Sequence, residues 1–521
     1  MMLSRFLKML RKPSATPKCS QDLQSIDEWA EKRHDADALF AAQCHAEALL
    51  IYEAIYARDA RAPGLLLRLG LVYGATGRLD EAESFLARAK QAEPHSIDLL
   101  NAQANLAWLR AQWPLAEERF REALAMAPDN PTVWANLGLC LHDAGRLDEA
   151  ASALIRAIEL DPLHVDARVN AALVCMDRGE VAAAGVHLQY ALKVAPDFPD
   201  VHALRAQWLL QQADYAEGWC EYEWRFRSSD ARYREDTVLP RWDGAKRDKL
   251  IIYAEQGLGD QIMFGSCLSD VLECVSHVEI ECDPRLTGLF ARSFPAVRVH
   301  AHTPALERPW AVTETGRAMQ IHCGSLPQLF RRTRAEFPTH SGYLSADAVK
   351  TAHWLRQLAG LGAGLKVGIA WRGGVPRTRQ VMRSIPLIQW LPVLQTQGVC
   401  FVSLQHGPCG EELAQINALE NVNVTHWTQA IDDYEETAAL IGALDLVITV
   451  CSSVVHLAGA LGKPVWVLVP SCPEWRYLQS GETMPWYPSV HLFRQVPPGD
   501  WRGPVTAIQQ MLEVYQPLTT T

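Results

Sequence analysis

The chain has 521 residues, enough for about three or four domains at roughly 150 residues each. Hydrophobic residues make up 49% and charged residues 21%, which is the balance of folded globular material and not of long disorder. The net charge of −11, from 49 basic and 60 acidic residues, argues against a broad nucleic-acid-binding surface. At the N-terminus, Met1–Lys18 is basic, and Arg5 and Lys8 break its apolar run. It is too short and too charged for a signal-peptide core, and residues 1–28 read as a flexible basic leader. No stretch approaches the roughly 18 uncharged apolar residues of a membrane span. The 13 cysteines are odd in number and scattered, with no C-x-x-C pair, so neither a disulfide framework nor a zinc site is expected. The expected location is the cytoplasm.

A period of 34 residues organises the first half. Prolines stand at 94, 128, 162 and 196, in phase with Ala82, Ala116, Ala150 and Ala184 and with Ala89, Ala123, Ala157 and Ala191. A further series is Gly70, Ala104, Gly138 and Ala172. The fullest unit reads Trp134-x-x-Leu137-Gly138-x-x-Leu141, Ala150-x-x-x-Leu154, Pro162. That order and spacing resembles the tetratricopeptide repeat. Small residues fit where two helices cross closely, Leu and Phe120 fill between them, and proline closes the second helix. Gly77, Gly145 and Gly179 fall at the turns. Four repeats are clear over residues 63–198, inside a helical region of 29–230 whose flanking units are degenerate, as capping repeats are. Such a solenoid offers a groove for a peptide or protein segment, and the repeats alone do not say which.

Beyond Pro240 the period changes to short apolar runs separated by helical stretches. Leu250–Ala254, Val278–Cys282, Val297–Ala301 and Met319–Cys323 read as strands of one α/β unit, residues 245–345. Lys366–Trp371, Val399–Leu404, Val422–His426, Leu446–Val450 and Val465–Val469 read as strands of a second, residues 350–515. Asp260–Val275, Pro386–Gln397 and Tyr434–Leu444 read as intervening helices. The fold class is therefore an all-α solenoid followed by two doubly wound, Rossmann-like units with a ligand cleft between their strand ends. A fragment beginning near Arg227 is expected to retain the donor site.

Three segments carry candidate chemistry. In Tyr253-Ala-Glu255-Gln256-Gly257-Leu-Gly259-Asp260 a strand enters a helix through a glycine turn, where Gly257 and Gly259 allow a sharp bend and close approach. Asp260 fits two roles there, a helix cap or a general base for an attacking hydroxyl, and a helix N-terminus favours the carboxylate over the base. In Val450-Cys451-Ser452-Ser453-Val454-Val455-His456 the first-turn amides with the hydroxyls of Ser452 and Ser453 suit a diphosphate. His456 lies one turn on, on the same face as Ser452, and is either a phosphate donor or a packed histidine. Arg372, Arg377, Arg379 and Arg383 crowd the loop after the second unit's first strand, forming either an anion clamp or a solvated loop.

Taken together, the segments Glu255–Phe264, Gly368–Pro386, Ser403–Glu411, Val447–Val467 and Trp475–Gln495 make residues 240–515 similar to the ADP-heptose:lipopolysaccharide heptosyltransferases. The whole chain looks like a bacterial tetratricopeptide-repeat glycosyltransferase. The resemblance implies a GT-B fold, an inverting mechanism and a nucleotide-sugar donor, with no metal and no cofactor. It implies Asp260 as base and places Arg372, Arg383, Ser452, Ser453 and His456 at the donor diphosphate, with Gln405 and Glu411 at the nucleotide. One departure stands out: Cys451 occupies a position where relatives commonly carry aspartate, which puts donor choice or activity in doubt. The implied function is sugar transfer to an acceptor, a protein or peptide held in the repeat groove. The alternatives are a transferase of the O-linked N-acetylglucosamine type and a non-catalytic adaptor built on a decayed transferase.

Overall fold

The computed structural model describes residues 23–41, 44–62, 64–93, 96–227, 239–302, 318–374 and 380–516. Most of the expected leader, Pro63, Pro94, Arg377 and Arg379 lie outside these residues, while the first helix, Leu23–Ala41, already begins within the bounds of the leader. The described chain divides into two compact units, one running to Arg205 and a second formed by Ala206–Phe226 with the C-terminal part.

The first unit is a series of antiparallel helix pairs, among them Leu65–Ala75 with Leu79–Ala92 and Pro131–Asp143 with Leu147–Leu160. The 34-residue small positions are where the paired helices touch. A Cβ on Gly70 would lie 2.5 Å from Leu86 Cδ2, and one on Gly138 would lie 2.6 Å from Leu154 Cγ. Ala82, Ala116, Ala150 and Ala184 are fully buried. The turn glycines Gly77, Gly145 and Gly179 adopt φ of +80°, +80° and +76°. At the corresponding turns of two other repeats stand Ala111 and Ala213, at φ +57° and +63°. An L side chain in this region costs about 1–2 kcal/mol, so Ala111→Gly is expected to stabilise the first unit by about 1 kcal/mol. Chemical denaturation measures it, and an unchanged midpoint would show that the turn carries no strain.

Successive repeats are also tied by buried polar bonds. Asn136 Nδ2 donates to Asn101 Oδ1 at 2.9 Å, and Trp108 Nε1 donates to Asp143 Oδ2 at 3.0 Å. His142 sits between two carboxylates, Nδ1 at 2.9 Å from Asp143 Oδ1 and Nε2 at 2.7 Å from Asp177 Oδ2. Burial opposes the imidazolium, but the two carboxylates outweigh it and hold the pKa above the ordinary histidine value. A raised folded-state pKa gives stability that is complete below the unfolded value near about 6.5 and lost as pH climbs through the folded value. The first unit is therefore expected to lose thermal stability as pH rises above about 6.5, and less so in Asp177→Asn. Parallel melting curves for the two proteins from acid to alkaline pH would remove His142 from this role.

In the second unit, β1 (Arg247–Tyr253), β2 (Val275–Cys282), β3 (Val297–Ala301) and β4 (Ala318–His322) form a parallel sheet in the order β3-β2-β1-β4. A second sheet holds β5 (Leu365–Ala370), β6 (Val399–Ser403), β7 (Val424–Thr425), β8 (Leu446–Val450), β9 (Val465–Val469), β10 (Thr483–Met484) and β11 (Tyr487–Arg494). Its order is β10-β11-β9-β8-β5-β6-β7, parallel except for the β10–β11 hairpin. Strand order reverses direction beside β1 in the first sheet and between β5 and β8 in the second, and ligands of open α/β sheets gather at such switch points.

Several boundaries differ from expectation. The helix expected over Asp260–Val275 is two helices, Leu258–Gly265 and Leu268–Cys274. Pro386–Gln397 contains a 3₁₀ turn, Leu387–Trp390, and one short helix, Leu391–Leu394. The β10–β11 hairpin was not among the expected strands, and Pro488 stands at the second position of β11. The α/β unit also starts earlier than residue 245. Trp219 of the helix Tyr215–Tyr222 is fully buried, donates from Nε1 to the Arg331 carbonyl at 2.9 Å, and meets Trp475 and Trp486 edge-on. Gln211 Nε2 donates to the Pro473 carbonyl at 2.8 Å. Residues read as the last degenerate repeat thus supply core to the α/β unit.

Candidate functional site

The loop after β1 delivers Asp260 to the third position of the helix Leu258–Gly265. Gln256 just before it holds a left-handed φ of +62°, strain that a loop keeps only when its surroundings fix it. Tyr222 bonds the Gln256 side chain, and Arg225 anchors the preceding Glu255. That Arg225–Glu255 pair is buried and two-pronged, at 2.9 and 2.8 Å, with Ser325 Oγ and Glu223 also bonded to the guanidinium at 2.7 Å. The Asp260 carboxylate accepts the Gly257 N–H at 3.2 Å and forms an ion pair with Arg476.

The glycine at 259 has a specific task. A Cβ there would lie 2.9 Å from His456 Cδ2 and 3.4 Å from Ser453 Cα, so Gly259 lets the helix Ser453–Ala460 abut the Asp260 turn. Asp260 and the Ser452–His456 turn, separated by some 190 residues of sequence, are thereby brought together. Ser452 caps its helix, its Oγ accepting the Val454 N–H at 3.3 Å and lying 3.3 Å from Thr449 Oγ1. His456 is buried, with Nδ1 3.1 Å from the Tyr487 hydroxyl. Tyr343 Oη donates to the Ile262 carbonyl at 2.7 Å and lies 3.5 Å from the same Tyr487 hydroxyl. Burial, with help from the charges of Arg476 and Arg383, drives the His456 pKa down to about 3. His456 is therefore a neutral hydrogen-bond donor and not a cation.

The exit of β5 closes the site from the other side. A Cβ on Gly373 would fall 2.1 Å from the Cys451 carbonyl oxygen, so glycine permits the β5 and β8 loops to touch. Arg383, at the end of the 3₁₀ turn Gln380–Arg383, pairs with Glu474 at 2.7 Å, and Arg476 reaches the same carboxylate at 3.3 Å. Asp260, Arg476, Glu474 and Arg383 thus form one row of alternating charge. Arg372 is turned aside, bonded to the Pro408 carbonyl and 3.2 Å from Glu412. Gln405 is a buried brace whose Oε1 accepts the Trp371 and Arg372 N–H groups at 3.0 and 2.8 Å. Glu411 is exposed in the first turn of the helix Gly410–Asn417. Burial pushes the Cys451 thiol up to about 12, which keeps it protonated and unreactive. The sequence analysis missed Arg476, Glu474 and Tyr487. They lie within its segment Trp475–Gln495 or one residue before it, with no spacing signal to mark them.

The first unit holds a second candidate, a groove of about 1650 Å³ along the repeats. Arg33, Arg58 and Arg68 line its N-terminal part, and Asp98, Asp129 and Asp161 line the part that follows. Among the described residues, no helix is long and apolar enough to cross a membrane.

Tetratricopeptide-repeat family models match residues 39–106, 101–158 and 141–208. Protein FlbA of Caulobacter vibrioides is 34% identical over 489 residues, covering 88% of this chain and 79% of its own length. Coverage of that extent exceeds either half, so the likeness runs through both the repeats and the α/β region. The type IV pilus assembly protein PilF of Pseudomonas aeruginosa is 30% identical over 162 residues, 30% of this chain and 62% of its own. Among solved structures, YrrB, described as a TPR protein with an unusual peptide-binding site, shares 24% identity at a TM-score of 0.25. It covers 35% of this chain and 96% of its own.

Proposed function

The chain belongs to the same family as Protein FlbA, and from the geometry of its α/β unit we propose that it is a glycosyltransferase of the GT-B type. The observation that carries this reading is the convergence of Asp260, Arg383, Ser452, Ser453 and His456, which follow strands at the switch points of the two sheets, with Arg476, which follows β9. In this reading Asp260 takes the proton from an acceptor hydroxyl, which attacks the anomeric carbon opposite the nucleotide and inverts it. Arg383, the amides of the Ser452–Ser453 turn and the His456 imidazole stabilise charge growing on the departing diphosphate. The acceptor is a polypeptide segment, for which the repeat groove of the first unit has the volume.

The test is a panel of nucleotide sugars, scored first by thermal shift and then by transfer to protein acceptors. Stabilisation by one nucleotide family and transfer from its sugar would support the reading, and the donor found would separate it from the O-linked N-acetylglucosamine type. A second reading, a repeat adaptor with a decayed transferase, is favoured by the protonated, buried Cys451. Absence of any nucleotide binding would favour it over catalysis.

A further inference from the structure

The row of charge at the site has a competitive logic. Two arginines and two carboxylates bring it to zero net charge, with the Arg476 and Arg383 side chains only 12% and 11% exposed. Because His456 is uncharged, positive charge at this point comes, among the described residues, from these two guanidiniums. Arg476 divides its N–H groups between Asp260, on the first sheet's loop, and Glu474, which follows β9. Arg383 donates to the other oxygen of Glu474. A phosphate accepts the same planar fork that a carboxylate does, so an entering anion gains most by taking guanidinium donors from the carboxylates.

We propose that Arg476 is an anion ligand that exchanges partners, the donor diphosphate drawing Arg476 and Arg383 away from Asp260 and Glu474. The proposal rests on the glycosyltransferase reading and adds its regulation: the Asp260 carboxylate is paired with Arg476 and is released when donor binds. Glu474 is a positioning residue that holds both arginines where the diphosphate collects them. The base is thus freed only when there is a leaving group to displace, and an acceptor arriving alone meets a neutralised carboxylate.

Competition makes a signed prediction that a bracing role does not. Calorimetric titration of the full chain with inorganic pyrophosphate is expected to give a Kd about three- to tenfold lower in Glu474→Gln than in the wild type. Asp260→Asn is expected to move the same way, and Arg476→Ala to raise Kd about tenfold or more. Arg476→Lys keeps the charge, covers the chance that Ala impairs folding, and is expected to fall between. Were Glu474 only a brace, its loss would loosen both arginines and weaken binding, so an unchanged or higher Kd in both carboxylate variants overturns the exchange. Transfer from nucleotide sugars is scored separately. Transfer by the wild type without tightening in the variants sinks the exchange alone, and tightening without transfer from any donor sinks the glycosyltransferase reading. A wild type that binds neither pyrophosphate nor any nucleoside diphosphate sinks both.

Discussion

On the glycosyltransferase reading, Asp260→Asn is expected to lower the turnover number for sugar transfer by about 10²–10⁴-fold, the usual contribution of a positioned base. The substitution is conservative for the fold. Asparagine keeps an oxygen to accept the Gly257 N–H, so the start of the helix Leu258–Gly265 persists. What goes is the negative charge, and with it the ability to take a proton and the ion pair with Arg476. The measurement is turnover at saturating donor, alongside a thermal melt to show that the fold is intact. Turnover near that of the wild type would leave Asp260 with its capping bond as its whole role.

The second large effect concerns where the α/β unit begins. A fragment starting at Arg227 is expected to fail to fold, whereas one starting at Pro199, which keeps the helix Pro199–Gln211 whole, is expected to fold and bind donor. Cutting at Arg227 removes Trp219 from a pocket lined by Phe264, Trp475 and Trp486, and removes Arg225 from Glu255. Loss of Arg225 alone strands a buried carboxylate, so in the full chain Arg225→Ala is expected to cost the second unit about 3–5 kcal/mol. Denaturant unfolding followed by tryptophan fluorescence reads this, since the affected cluster is rich in indoles. A loss below about 1 kcal/mol would mean that water or a neighbour satisfies Glu255, and that the Arg225 anchor is dispensable. The expectation of a competent fragment from Arg227 placed the boundary at the change of sequence period, and packing places it earlier.

The difference between what the sequence displayed and what it hid follows from the range of the interactions. The repeats were legible because each close helix crossing recurs every 34 residues, so Gly70, Gly138 and their alanine counterparts advertise one local geometry many times. The strands were legible as apolar runs of the right length. The turns carrying Asp260 and Ser452 were legible because a glycine or a serine at a helix start has a local physical reason. Arg476 had none: its meaning lies in a carboxylate 216 positions away. Arg225 and Glu255 are 30 apart and meet only because Gly324 leaves room, a Cβ there falling 2.0 Å from Glu255 Oε1. Gln405 shows the converse. Its place in a family segment pointed to the nucleotide, while its carboxamide is spent joining the exits of two strands. Short-range signals survive in a sequence, whereas pairings across the chain are written only in the fold.

The larger sheet has one property that bears on the fate of the protein at high concentration. Its two outermost strands, β7 and β10, are each two residues long. An edge strand is a template on which another chain adds, and the length of the template sets how many ladder bonds a newcomer can form. Between Val424–Thr425 on one side and Thr483–Met484 on the other, an incoming strand finds little more than a single pleat to grip. The fully buried, apolar strands of the interior, β8 and β9, which if exposed would be strong seeds for fibrous assembly, are each flanked on both sides by partners. A seven-stranded, mostly parallel sheet is in this way kept from growing by shortening its borders, without closing into a barrel.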